Sequence, residues 1–251
     1  MKMIVWILKR SLKFLLFRPR IWRENLNAWR RFWHSYDRYL GLVESKEQAN
    51  LIKYLYPCLG DDTNETPIEP TYFYQDTWAF EKILAQRPDN HIDVGSHHTF
   101  VTFLSKVLPV TMVDIRPLSL PVNTLHFQQG SILDLPFESN SIESLSSLCV
   151  VEHIGLGRYG DPLDPKGTEK AIYELQRTIK PKGHLYISLP IDDENRTYFN
   201  AHRAFSEQYI MSLFSGFQVI DKAYIYGRQL LTNQQSGFGT ALYHLQKLVN
   251  D

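Results

Sequence analysis

From His91 onward, apolar residues come in short blocks that alternate between two periods. His91-Ile92-Asp93-Val94, Val110 to Ile115, Thr124 to Gln128, Ser144 to Val151 and His184 to Leu189 are brief runs rich in β-formers. Bounded by turn residues, such runs predict buried strands. Thr99 to Val107 and Thr168 to Lys180 carry helical spacing instead, with Ala171, Ile172, Leu175 and Ile179 on one face of the second. Pro181 to Gly183 breaks that helix. A helix is predicted from Thr77 toward Pro88 and another over Phe205 to Phe214, and Phe217 to Tyr226 and Thr240 to Leu248 close the pattern as strands. Seven strands alternating with helices predict right-handed crossovers. The fold class is therefore α/β: a Rossmann-like, mostly parallel seven-stranded sheet with helices on both faces. No internal repeat or low-complexity tract interrupts it.

The first 40 residues follow a different pattern. Met1 to Phe17 reads MKMIVWILKRSLKFLLF, with Ile4, Ile7, Leu8, Ser11, Leu12, Leu15 and Leu16 on one helical face and Lys2, Lys9 and Lys13 off it. Its basic residues cut the apolar run short of the roughly 20 residues a membrane span needs. It lacks the small-residue site that follows a cleaved leader. The pattern suits a helix lying in a membrane interface, and five arginines (18, 20, 23, 30, 31) with Trp22, Trp29 and Trp33 continue that chemistry. A helix packed on protein has the same pattern. Residues 1–40 thus form a basic amphipathic helical extension, residues 41–71 a connector with one short helix over Ser45 to Tyr56, and residues 72–251 the α/β domain.

Charge sharpens this division. The formal net charge is zero, yet residues 1–40 hold ten Lys/Arg against two acids, leaving the remainder acidic. A basic end on an acidic body suggests an anionic membrane surface, reached through residues 1–33. The body shows no basic-aromatic module for reading nucleic acid. Two distant cysteines, Cys58 and Cys149, argue against a disulfide framework and for a reducing compartment.

Chemistry-bearing residues cluster where strands end, the place where open α/β sheets bind ligands. Asp93-Val94-Gly95-Ser96 follows the first strand and opens a helix, and its glycine suits a tight turn with backbone N–H groups turned to a ligand. Asp114 ends the second strand about twenty residues later, where an acid can accept from both hydroxyls of a ribose. The third strand leads to Gly130-Ser131-Ile132-Leu133-Asp134-Leu135-Pro136-Phe137. The fourth leads to Glu152-His153 and a glycine-rich loop through Asp161.

In that order these pieces resemble the class I S-adenosylmethionine-dependent methyltransferases over roughly residues 72–248. The resemblance implies a nucleotide loop at Asp93, Gly95, Ser96 and His97, a ribose acid at Asp114 beside Ile115, and an adenine loop at Ser131 and Ile132. Lys180-Pro181-Lys182-Gly183 is similar to that superfamily's K-P-G-G turn. The run VVEHIGLGRYGDPLDPKG, V-D-I-R-P at Val113 to Pro117 and F-N-A-H-R at Phe199 to Arg203 resemble more closely a bacterial domain-of-unknown-function family met among surface-polysaccharide biosynthesis genes. The sequence departs from the superfamily at His97, where a glycine is usual, and at Ser131, where an acid is often found.

The expected cofactor is S-adenosylmethionine, and the expected reaction is O-methylation of a sugar or polysaccharide precursor on the cytoplasmic face of the plasma membrane. A non-catalytic scaffold in a membrane-associated assembly complex is the alternative. An alcohol acceptor needs a base, for which His153 suits neutral pH, with Asp161 second. Glu152 could orient His153, although neighbours on a strand point to opposite faces, which disfavours direct pairing. Arg158, Tyr159, His202 and Arg203 are candidates for an anionic sugar acceptor, arginine's fork matching phosphate or carboxylate. No histidine pair has compact zinc spacing, so no metal is expected, and no nucleophile elbow is present.

Overall fold

The computed structural model describes residues 19–44 and 55–249. The segment 1–17, and most of the short helix expected over 45–56, lie outside the described residues. The chain divides into two compact units, Met1–Pro67 and Ile68–Asp251.

In the first unit, helix α1 (Pro19–Gly41) carries a ladder of rings. Trp29, Phe32, Trp33 and Tyr36 recur at helical spacing and pack with centroids 5.1–6.3 Å apart. Trp29 and Trp33 remain exposed, and Arg31 pairs with Asp62 at 2.8 Å. Among the described residues, no helix is long and apolar enough to cross a membrane.

The second unit opens with helix α2 (Pro70–Gln86), followed by β1 (His91–Val94), α3 (His98–Leu104), β2 (Val110–Asp114), β3 (Leu125–Gln129) and β4 (Ile142–Leu148). A 3-10 turn (Val151–His153), α4 (Gly167–Thr178) and β5 (Ile179–Ile191) come next. The chain then forms β6 (Arg196–Tyr198), β7 (His202–Ala204), α5 (Glu207–Leu213), β8 (Phe217–Tyr226), β9 (Gln229–Leu231) and β10 (Gly239–Lys247).

The main sheet runs β3-β2-β1-β4-β5-β10-β8-β9. Its first five strands pair in parallel, and β10, β8 and β9 continue it through antiparallel pairings, with β9 at the edge. The fold is therefore the expected α/β type, with a parallel core and an antiparallel carboxyl-terminal side, matching the Rossmann-like methyltransferase architecture. Eight strands are present rather than seven, because the three-residue β9 extends the edge, and β6 and β7 form a separate hairpin.

Burial explains the layering. Leu185, Ile187, Leu189 and Ile191 of β5 face one way and pack with Ala171, Ile172 and Leu175 of α4 and Ile210 of α5. Tyr186, on the alternate position, faces the opposite core of Trp78, Ala79 and Ile83 from α2 and Phe100, Val101 and Leu104 from α3. Strand period two thus places a helical layer on each face. The strand order reverses between β1 and β4, so their carboxyl ends diverge and leave the crevice where such sheets bind ligands.

Of the boundaries that differ from expectation, three do so for a clear local reason. α2 begins seven residues before Thr77, because Pro70 sits in its first turn and the Glu69 carboxylate accepts from the Tyr72 N–H at 2.7 Å. β5 starts at Ile179, passing through Pro181–Gly183 with Lys182 left-handed and a register shift on β4, since proline cannot donate to the ladder. β4 ends at Leu148 rather than Val151, because Cys149 takes a positive φ of 52° and turns the chain.

Candidate active site

At the end of β1, Asp93 is fully buried. Its Oδ1 accepts from the Ser96 N–H at 3.1 Å, and its Oδ2 accepts from the Ser146 hydroxyl at 2.5 Å. Ser146 and Ser144 also hold the two ring nitrogens of His91 at 2.8 and 2.7 Å. Burial pushes the Asp93 carboxyl up to about 6 and His91 down to about 3. Asp93 was expected to touch the cofactor; it is instead spent on shaping the turn. Ser96 was expected there too, and its hydroxyl accepts from the Leu148 N–H at 2.9 Å, tying the turn to β4. Gly95 has φ 73°, and a Cβ there would meet Val150 Cγ1 at 3.0 Å, so the turn needs the missing side chain.

Two adjoining clefts open beside this turn. One is lined by Gly95, Asp114, Ile115, Gly130, Ile132 and His153, among others. The second continues past Ser96, His97, Thr99 and Tyr72. Gly95, Asp114, Arg116 and Tyr159 are walls of both. Asp114 lies where the sequence placed it, and its Oδ1 accepts from the Arg116 N–H at 2.8 Å. Ile115 and Ile132 stand in the wall as expected, but Ser131 does not. Its hydroxyl accepts from the Leu133 N–H at 3.2 Å, and Gly130 and Ile132 face the cleft in its place. His97 packs at a tilt against Tyr72 and His98, at 4.9 and 4.3 Å between centroids. Burial lowers its pKa, and its buried Nδ1 has no hydrogen-bond partner.

On the β4 side, the 3-10 turn puts Glu152 and His153 next to each other rather than on opposite faces. Glu152 Oε1 lies 3.7 Å from His153 Nε2, which corrects the expectation from strand geometry. The His153 Nδ1–H donates to the Ala201 carbonyl at 2.6 Å, a tautomer assigned from that partner, which leaves Nε2 with its lone pair. Burial, with Arg158 and His202 nearby, takes His153 down to about 4. Burial takes Glu152 up to about 8. Glu152 is 1% exposed, and its Oε2 has no partner.

The loop beyond is pinned by Asp161. Its Oδ2 accepts from the Gly155 and Gly157 N–H groups at 2.7 and 3.4 Å, and its Oδ1 from the Tyr159 N–H at 3.2 Å. Burial raises this carboxyl, but the backbone donors outweigh it and hold it below the usual carboxylate range. A carboxylate so satisfied makes a poor base, so Asp161 serves the loop rather than the proposed chemistry.

Of the acceptor candidates, Tyr159 lines both clefts between two guanidinium groups, Arg116 at 4.5 Å and Arg158 at 5.2 Å. Arg158 also donates to the Ala201 carbonyl at 3.1 Å. His202 packs with Tyr198 and Phe238 at 5.0 and 5.5 Å. Arg203, expected at an anionic acceptor, is buried. Its guanidinium donates to the Ile154 carbonyl at 2.6 Å, Thr168 Oγ1 at 3.0 Å and the Asp164 carbonyl at 2.9 Å, so it fastens the loop from beneath.

The sequence reading missed the contribution of α2. Gln75 Oε1 accepts from the Ser188 hydroxyl at 2.7 Å and the Cys149 thiol at 3.1 Å, and Gln75 Nε2 donates to Asp76 at 3.1 Å. Burial raises Asp76 to about 7 and pushes the Cys149 thiol well up. The Pro70 helix-start signal was present in the sequence and places Tyr72, Gln75 and Asp76 on one turn. Among the described residues, no group of three or more His, Cys, Asp or Glu is arranged to hold a metal ion.

Comparison with known proteins agrees with this geometry at the level of fold. Residues 136–234 match the model of a family described as Caenorhabditis protein of unknown function, DUF268; this span contains the whole Glu152–Asp161 run. No curated protein matches. The N-methyltransferase NodS from Bradyrhizobium japonicum, in complex with S-adenosylhomocysteine, is similar at TM-score 0.51 and 15% identity, covering 78% of this chain and 93% of its own. The Burkholderia thailandensis 1,6-didemethyltoxoflavin-N1-methyltransferase, bound to 1,6-didemethyltoxoflavin and S-adenosylhomocysteine, is similar at 0.50 and 17%, covering 70% and 79%. The [4+2]-cyclase SpnF is similar at 0.51 and 15%, covering 70% and 82%. These likenesses define a class I methyltransferase-like fold, and the cyclase illustrates that this fold alone does not fix a reaction.

Proposed function

We propose that the second unit is an S-adenosylmethionine-dependent methyltransferase that methylates a hydroxyl of a sugar or surface-polysaccharide precursor. The observation that carries this reading is the cleft joining the Gly95 turn and Asp114 to a neutral, oriented His153. The residues fit the cofactor. Gly95 leaves its turn open, Asp114 suits a ribose diol, Ile115 and Ile132 suit an adenine face, and His97 lines the adjoining cleft. When bound, S-adenosylmethionine supplies an activated methyl group on sulfur. The chain's own part is to orient the acceptor and take its proton, for which His153 Nε2 is the available base. Support for a sugar acceptor is Tyr159 in the wall of both clefts, with the Arg158 guanidinium over its ring.

Helix α1, with Arg30, Arg31 and Arg38 beside exposed Trp29 and Trp33, supports peripheral docking on an anionic membrane at its cytoplasmic face. Co-sedimentation with anionic liposomes should require residues 1–33, and equal sedimentation without them would remove that assignment. A scaffold without catalysis is the second reading, favoured by the His97–Tyr72 contact standing where the superfamily usually has a glycine. Calorimetry separates the two: S-adenosylhomocysteine should bind the full chain, and an Asp114→Ala variant should bind at least 10-fold more weakly, as for a lost charge-assisted hydrogen bond pair. No heat from folded protein at millimolar ligand would end the methyltransferase reading.

A further inference from the structure

We propose that Glu152 is the positioning residue of His153. The two side chains act as one proton-holding pair, and the ionisation of Glu152 governs when Nε2 can take the acceptor's proton. This rests on the methyltransferase reading for its chemistry but not for its test.

The geometry comes from the 3-10 turn. Because the chain leaves β4 at Cys149, residues 152 and 153 are not on a pleat, and Glu152 Oε1 comes to 3.7 Å from Nε2. The Ala201 carbonyl fixes the opposite nitrogen as the N–H, so the basic nitrogen is the one nearest the carboxyl. The carboxyl is sealed from solvent, and nothing in the described chain satisfies Oε2. An ionised carboxylate so placed lacks water, and the donors beside it are its own backbone N–H and the Cys149 thiol, so a neighbouring cation would stabilise it strongly.

The groups facing the pair are few. Arg158 Nη1 lies 3.3 and 3.5 Å from the two ring nitrogens of His153, with His202 and Asp161 acting from farther out. Glu152 faces the Cys149 thiol and the positive field of Arg158. Burial keeps the proton on Glu152 and off His153. The pair then holds one proton, and a second on Nε2 would set an imidazolium against Arg158 with no counter-charge. Once Glu152 has released its proton to solvent, the step is compensated. The acceptor's O–H bond breaks, its proton forms an N–H bond at Nε2, the electron pair stays on the acceptor oxygen, and the imidazolium stands beside a carboxylate. Proton acceptance therefore becomes easier as pH rises through the Glu152 titration near 8, well above the limb near 4 that His153 alone would give.

The test uses the ligand-free full chain with labelled histidines. The His153 ring resonances, assigned by their loss in His153→Gln, are followed by NMR from acid to alkaline pH. In the wild type they should move with a step near the Glu152 value of about 8. That step should be absent in Glu152→Gln, and Glu152→Asp should restore it at a shifted pH. Identical His153 titrations in wild type and Glu152→Gln would overturn the proposal. If turnover is found, Glu152→Gln should lower kcat about 10-fold and remove the alkaline rise while leaving KM nearly unchanged. A loss confined to KM would also overturn it. Failure of the chain to bind S-adenosylhomocysteine would overturn the function but leave the NMR coupling intact, so the two failures are distinguishable.

Discussion

The ends of β1 and β4 lie side by side in the sheet, and each presents one fully buried acid. Their surroundings differ in one respect. Asp93 has a donor on each oxygen, the Ser96 N–H and the Ser146 hydroxyl. Glu152 has an oxygen with no partner at all. Burial raises both, but the hydrogen bonds restrain Asp93 to about 6 while Glu152 reaches about 8. The difference teaches that burial alone does not assign a role: the donor count does. A satisfied buried acid is architecture, whereas an unsatisfied one is a reserve of free energy that chemistry can draw on.

The strongest way to break this comparison is through pH. Glu152 has its folded-state pKa raised above the ordinary 4.5, so its contribution to stability is fully present below that value. It is lost as pH rises through about 8. Over that window the wild type should lose about 5 kcal/mol from this group, and Glu152→Gln should not. Urea melts of both proteins across the range check this; parallel pH curves would mean Glu152 is stabilised by something unaccounted for. The corresponding window for Asp93 closes near 6, so the two acids separate on the pH axis.

Next in size, Asp93→Ala at neutral pH should cost about 3 kcal/mol, since it orphans the Ser96 N–H and the Ser146 hydroxyl in the interior. A cost as small as that of a surface substitution would remove the distinction between the two acids. Smaller still, Gly155→Ala places a Cβ 2.1 Å from the Asp164 carbonyl at a φ of 82°. It should cost about 2 kcal/mol and loosen amide protection in the Gly155–Asp164 loop without touching the β1 turn, a pattern that hydrogen exchange resolves.

How much of this was legible in the sequence depends on whether a signal was local. The strands at His91–Val94 and Phe217–Tyr226 were read to the residue, because short apolar blocks between turns report burial directly. Asp114 and Gly95 were placed in the cleft wall from strand-end spacing alone. β6 and β7 were missed because Arg196–Tyr198 and His202–Ala204 are three residues each and the first is exposed, leaving no periodicity to detect. The fates of Arg203 and Asp161 were also hidden. An arginine donating to carbonyls and an aspartate collecting N–H groups have the same one-letter codes as ligand-binding residues, and only the folded path of the loop separates them. The Glu152–His153 pairing was misjudged for a single cause: apolar residues through Val151 extended the strand pattern past Cys149, whose left-handed backbone had no sequence marker.

Tyr159 closes one wall of each cleft. A shared wall makes two occupancies thermodynamically interdependent. Any guest that displaces the Tyr159 ring in one cleft alters the shape offered in the other, and the resulting change in affinity is reciprocal, the same factor whichever guest arrives first. The ring is held between Arg116, at the end of β2, and Arg158, in the loop after β4. That places Tyr159 beside Gly95, Asp114 and Arg116 in the wall the two clefts share, and measuring each guest's affinity in the presence of the other is the direct way to read the magnitude of the coupling.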